Sequence, residues 1–171
     1  SNDTGNVTIG QGATFEQGGG SWTMAGDSSS VSGVGTLRVS GGTVMVSSGV
    51  FNHTGPIEVT AGAVTLAAAA PIGNRQITLS GGALTLDSQA NLGTLSISNG
   101  SLGINGEVSS EKMLLTGGAL TGGGSLTLTG TGSQWTGGKM SGGGTTTIAA
   151  GADLTLTGRR DAVQFLGDRT L

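Results

Sequence analysis

His53 is the only histidine, and the chain has no cysteine. A catalytic imidazole needs a nucleophile and an orienting carboxylate, and a zinc site needs several nitrogen or sulfur ligands, so His53 alone builds neither. Its ordinary place would be a loop beside Pro56. Carboxylates are the other source of chemistry, because glycosidic cleavage requires at least two of them facing one groove. Glu107 and Glu111 lie beside Lys112 in a stretch that reads as a loop. Asp153, Asp161 and Asp168 are spaced one to two strands apart around Arg159 and Arg160, where they could form a small charged patch. Dispersed on solvated loops, the same charges would do no chemistry.

Trp22 and Trp135 are the candidate ligand-binding residues. Each precedes Thr and follows a Gly- or Ser-rich stretch, and an exposed indole on a β face could stack on a sugar ring. The competing expectation is burial under a loop. Calcium-binding repeats would bring an Asp back on every turn, yet GGGSLTLTG from Gly122 holds none, so no metal or other cofactor is expected. Thr127/Thr129 and Thr155/Thr157 have the Thr-x-Thr form of an ice-binding ladder. The equivalent pairs Arg38/Ser40 and Glu58/Thr60 interrupt any such ladder. Glycosylation sequons at Asn2, Asn6, Asn52 and Asn99 matter only in a host that uses them.

The elements that would carry these residues are repetitive. LRVSGGTVMV from Leu37, IEVTAGAVTL from Ile57 and ITLSGGALTL from Ile77 begin 20 residues apart and align without a gap. LSISNGSLGI from Leu95 and MLLTGGALTG from Met113 follow at a spacing of 18. In each, one apolar pair at i and i+2 is followed by a glycine corner and a second such pair, the alternation of two short strands. Gly122 replaces the last inward residue of the fifth copy. VTIGQGATF from Val7 and TTIAAGADL from Thr146 read as weaker copies, and Leu126 and Leu128 supply a further strand.

A repeat this short cannot hold two packed helices, and a single coil cannot bury its own inner face, so the coils must stack in parallel. The expected fold is all-β, a right-handed parallel β-helix of about eight or nine coils. Residues 1–171 form one solenoid segment on this reading. Arg38 should stand one coil away from Glu58.

Composition bounds the function. Gly supplies 36 residues and charged residues only 10%, against roughly 25% charged in an average domain. The glycines lack the three-residue period of collagen, and the regular Val, Ile and Leu pairs exclude simple disorder. A net charge of −3 with seven scattered Lys and Arg argues against a nucleic-acid partner. The longest apolar run stops at Pro71 and Ile72, too short for a membrane span. Absence of cysteine fits an exported protein, with any export signal upstream of Ser1.

The phrase TGGGSLTLTGTGSQWTGGKMSGGGTTTIAAGADLTLTG from Thr121, followed by FLGDRTL from Phe165, resembles the giant repetitive surface proteins of bacteria. These are grouped with filamentous-haemagglutinin-like and autotransporter passenger adhesins. The resemblance implies an extracellular rod at the bacterial cell surface, without enzymatic activity, whose partners are neighbouring repeats or identical subunits and surface glycans. Because Val7 and Leu171 lie within repeat phrases, more coils are expected beyond them, or a neighbouring subunit docked there.

Overall fold

The computed structural model describes residues 5–25, 29–48, 50–67, 72–158 and 164–171. Every regular element among them is a β-strand, and every strand pairing is parallel. The chain winds as a solenoid of about seven turns and about 20 residues per turn, seen most directly in one sheet of eight stacked strands. That sheet runs from Ser21–Met24 through Thr43–Val46, Ala63–Leu66, Ala83–Leu86, Ser101–Ile104, Ala119–Thr121 and Gly138–Met140 to Gln164–Leu166.

Each turn has three sides. The two apolar pairs of the repeat form the second and third sides. Leu37, Ile57, Ile77, Leu95 and Met113 stack directly on one another along the second. Val44, Val64, Leu84, Leu102, Leu120 and Met140 do so along the third. All are essentially inaccessible to solvent. Burial of each such side chain contributes roughly 1.5–3 kcal/mol, which makes these apolar columns the main source of stability.

The first side escaped the repeat pattern. In the central turns it is fused to the second, as the long strands Ile72–Leu79, Ala90–Ile97 and Glu107–Leu115. Its own column runs Ala90, Val108, Leu126, Thr146. The weak copies at Val7 and Thr146 belong to this side: Val7 pairs with Val31, and Thr146 with Leu126. Alternation reports which residues point inward, but not which side of the turn they occupy.

The corner between second and third sides is a column of glycines. Gly42, Gly62, Gly82, Gly100 and Gly118 all have φ between 68° and 83°. A Cβ on Gly82 would also lie 2.5 Å from the carbonyl oxygen of Gly62, and one on Gly100 2.5 Å from that of Gly82. Conformation and close stacking thus both demand glycine there.

Outward positions behave as expected where the period is regular. Arg38 faces Glu58 in register, with 2.8 Å between Nη2 and Oε2. At Gly122 the chain instead takes φ 102° and moves close to Ile104, so that a Cβ would come within 2.1 Å of its carbonyl oxygen.

Candidate functional site

Neither tryptophan presents a face to solvent. Trp22 lies in the strand Ser21–Met24 on the third side, stacked beneath Val44 and tilted against Phe15 with ring centroids 5.5 Å apart. It is 8% exposed. Trp135 closes the strand Ser133–Trp135 on the second side, between Leu115 and Leu156, and is 2% exposed. Inward parity explains both: Trp22 shares the register of Val44, and Trp135 that of Leu115. They stand on different sides and at opposite ends of the described solenoid, so no aromatic row is formed.

Among the described residues the carboxylates are dispersed. Glu107 and Glu111 lie within the strand Glu107–Leu115 rather than in a loop. Each borders a different shallow hollow on the first side and its corner. Glu107 lines one of about 340 Å³ with Asn91, Ser109 and Thr127. Glu111 lines one of about 470 Å³ with Thr94, Lys112 and Thr129. Asp153 accepts hydrogen bonds from the backbone N–H groups of Gly132, at 2.6 Å, and Ser133, at 3.2 Å, and so holds a corner. Asp168 is exposed. Asp161, Arg159 and Arg160 lie outside the described residues. Among the described residues no group of three or more His, Asp or Glu side chains stands close enough to hold a metal ion.

His53 is not a loop residue. It ends the inward parity of the strand Val50–His53 and is fully buried. Its Nε2 lies 2.9 Å from the carbonyl oxygen of Gly35. A carbonyl only accepts, so Nε2 carries the proton and Nδ1 is left as an acceptor. Burial is the main cause that holds its pKa below the usual histidine value; the Gly35 carbonyl works the other way, and the charge of Arg75 adds to the lowering.

Arg75, which sequence reading passed over, is the most unusual side chain of the cluster. It is 1% exposed, stands over the Phe51 ring at 5.1 Å, and donates from Nη2 to the carbonyl oxygen of His53. Its Nε and Nη1, like Nδ1 of His53, have no hydrogen-bond partner. Burial lowers its pKa to about 10, so it remains charged at neutral pH. The signal was present in NRQITL, where Arg75 has the same parity as the inward Ile77 and Leu79.

A second buried arginine, Arg169, is bonded differently. Its Nε donates to Thr146 Oγ1 at 2.8 Å, and its terminal nitrogens to the carbonyl oxygens of Thr145, Gly124 and Gly122 at 2.9, 3.2 and 3.4 Å. The guanidinium fits because Gly144 has no side chain; a Cβ there would lie 2.7 Å from Arg169 Nη1. Arg169 therefore ties three successive turns together along one corner.

Compared with family models, with curated proteins and with solved structures, the chain gives no match.

Proposed function

We propose that the chain is a load-bearing structural segment, a stiff stalk of an extracellular, adhesin-type protein of the bacterial cell surface, and that it carries out no catalysis. The observation that supports this reading most directly is the stacking of apolar columns along the second and third sides of the central turns, where mostly small and polar residues face out. Such a rod resists bending because each turn is hydrogen-bonded to the next, and its length grows simply by adding turns. The dispersed carboxylates and the two inward tryptophans leave the chain with little besides length and stiffness to offer. We further read the winding as right-handed, by the general bias of parallel crossovers, and the segment as about eight or nine coils including partial ones.

Its partners in this reading are more coils of the same kind, whether neighbouring repeats or identical subunits. Each inner turn pairs one strand edge with the turn before it and the other with the turn after it, and the same ladder accepts a further coil from another molecule. Electron microscopy over a range of protein concentrations tests this. Filaments with an axial repeat at a multiple of roughly 4.8 Å are the expected result for subunit stacking. Short rods at every concentration would confine the partners to repeats of the same chain. Release of reducing sugars from any polysaccharide in a broad panel would overturn the stalk reading itself.

A glycan-binding lateral face is the second reading. What favours it is not the tryptophans but the pair of polar hollows at Glu107 and at Glu111–Lys112. Glycan-array binding that is lost in Asn91→Ala together with Glu107→Ala would support it.

A further inference from the structure

Among the described residues the pairing along the first side is not continuous. Asn6–Ile9, Ser30–Gly33 and Val50–His53 form a separate three-stranded sheet, while the longer sheet takes in the first-side residues from Ile72 onward. Between Val50–His53 and Ile72–Leu79 the first side has no ladder pairing among the described residues, although Ile57 still pairs with Ile77 on the second side and Val64 with Leu84 on the third. The cause is local. Asn74 has φ 23°, and the pairing of Ile72–Leu79 with Ala90–Ile97 shifts register on both sides of Arg75. Elsewhere on this side a carbonyl accepts from a backbone N–H one turn on, as Gly33 does from Thr54 at 2.9 Å. At the seam the His53 carbonyl accepts from the Arg75 guanidinium instead.

The seam therefore holds a buried cation and a buried imidazole side by side. The groups facing His53 are the Gly35 carbonyl, the Phe51 ring and Arg75; those facing Arg75 are the Phe51 ring and the His53 carbonyl. Among the described residues the one ion pair joins Arg38 to Glu58, so no carboxylate neutralises either group. A buried charge without a counter-ion is costly, and a second one of the same sign beside it costs more.

We infer that the His53–Arg75 seam is an acid-sensitive opening point, at which protonation of His53 beside Arg75 releases the first three turns of the first side from the turns that follow. Neutral His53 is tolerated because Nε2 is bonded and Nδ1 bears no charge. Protonation places two cations in a buried site, at a junction where, among the described residues, no first-side ladder joins Val50–His53 to Ile72–Leu79. The second and third sides stay paired, so the seam loosens without unwinding the rod. No other feature among the described residues combines buried unpartnered polar atoms with a break in a sheet; the hollows near Glu107 and Glu111 are open and lined mostly by polar side chains.

His53 being the only histidine, its imidazole can be followed by nuclear magnetic resonance without assignment ambiguity. The expected titration midpoint lies below 6.5, and the amides of 51–53 and 75–77 should shift with the same midpoint. Hydrogen exchange, corrected for intrinsic rates, should then show protection at Val50–His53 falling about tenfold or more between pH 7.5 and pH 5. Protection at Leu95–Ile97 should stay constant. His53→Gln keeps an N–H for Gly35 without a titrating group and should abolish the response; Arg75→Met should weaken it. A midpoint at or above 6.5 would overturn the inference, and so would equal loss of protection along the whole rod. If His53→Gln fails to fold, the titration and exchange of the natural protein still decide.

Discussion

Arg75 and Arg169 are both almost wholly buried, yet they sit in opposite circumstances. Arg169 gives four hydrogen bonds to the turns around it. Arg75 gives one, to the His53 carbonyl, and leaves two nitrogens without partners. The difference lies in the backbone that surrounds them. At the Arg169 corner three turns run in register, and their carbonyl oxygens converge where glycine leaves room. At the Arg75 seam no first-side ladder joins the two turns among the described residues, and one carbonyl, that of His53, meets the guanidinium. Burial alone does not tell whether a charge holds a structure together. The number of acceptors it meets does.

The largest effect should come from Arg169→Met. Removing the guanidinium leaves the Thr145 carbonyl and the Thr146 hydroxyl oxygen without this donor, while the Gly122 and Gly124 carbonyls keep the backbone N–H groups of Gly144 and Thr145. Losing such buried bonds costs about 1–3 kcal/mol. Denaturant unfolding should report that loss, and hydrogen exchange should localise it to Thr145–Ile148 and its neighbours. A loss below about 1 kcal/mol would mean that water replaces the guanidinium without penalty.

The opposite sign is expected for Arg75→Met. Methionine keeps most of the volume and the contact with Phe51 while removing an uncompensated charge, so stability should be unchanged or rise by about 1–2 kcal/mol. The His53 carbonyl loses its one donor, which limits the gain. A clear destabilisation, comparable with Arg169→Met, would erase the contrast between the two sites.

These two arginines also mark how far the sequence could be read. The second and third sides were legible because Leu37/Val39 and Val44/Val46 recur at nearly constant spacing with glycine between them. The first side was not. Its apolar pairs, such as Val31 in one turn and Ala90/Leu92 in another, vary in spacing, since that side absorbs the change in turn length from 24 to 18 residues. Arg75 falls there, and its inward parity with Ile77 passed unnoticed because a charged residue suggests an outward position. Arg169 has no local signal at all, since its acceptors are 23 to 47 residues away in sequence. His53 and the tryptophans show the same rule from the other side. Residues singled out for their chemistry were placed in the core by parity with their stacked neighbours.

A smaller effect separates the two sites by pH. His53 is depressed in the folded state, so the native protein binds fewer protons than the unfolded chain below pH 6.5. Stability is full above that value and should fall as pH drops from 6.5 through the folded-state pKa. Burial is the largest cause of the depression, so most of the fall should survive in Arg75→Met and vanish in His53→Gln. Arg169, far from any histidine, should leave the pH dependence untouched when replaced. Thermal unfolding between pH 5 and pH 8 for the three variants gives the comparison directly.

The smallest effect belongs to a third arginine, Arg38, which meets Glu58 on the outer surface. The pair is in register across one turn, with Nη2 at 2.8 Å and Nε at 2.9 Å from the same carboxylate oxygen. Geometry this good suggests a strong contact, but the side chains keep 41% and 33% of their exposure. Solvent screens the attraction, and both groups are well hydrated once separated. Glu58→Gln should therefore cost no more than about 1 kcal/mol, and the cost should shrink further in 0.5 M salt. If it instead matched Arg169→Met, exposure would not be what separates the weak arginine contact from the strong one. The stability of the rod would then owe more to its charged surface than its apolar columns allow.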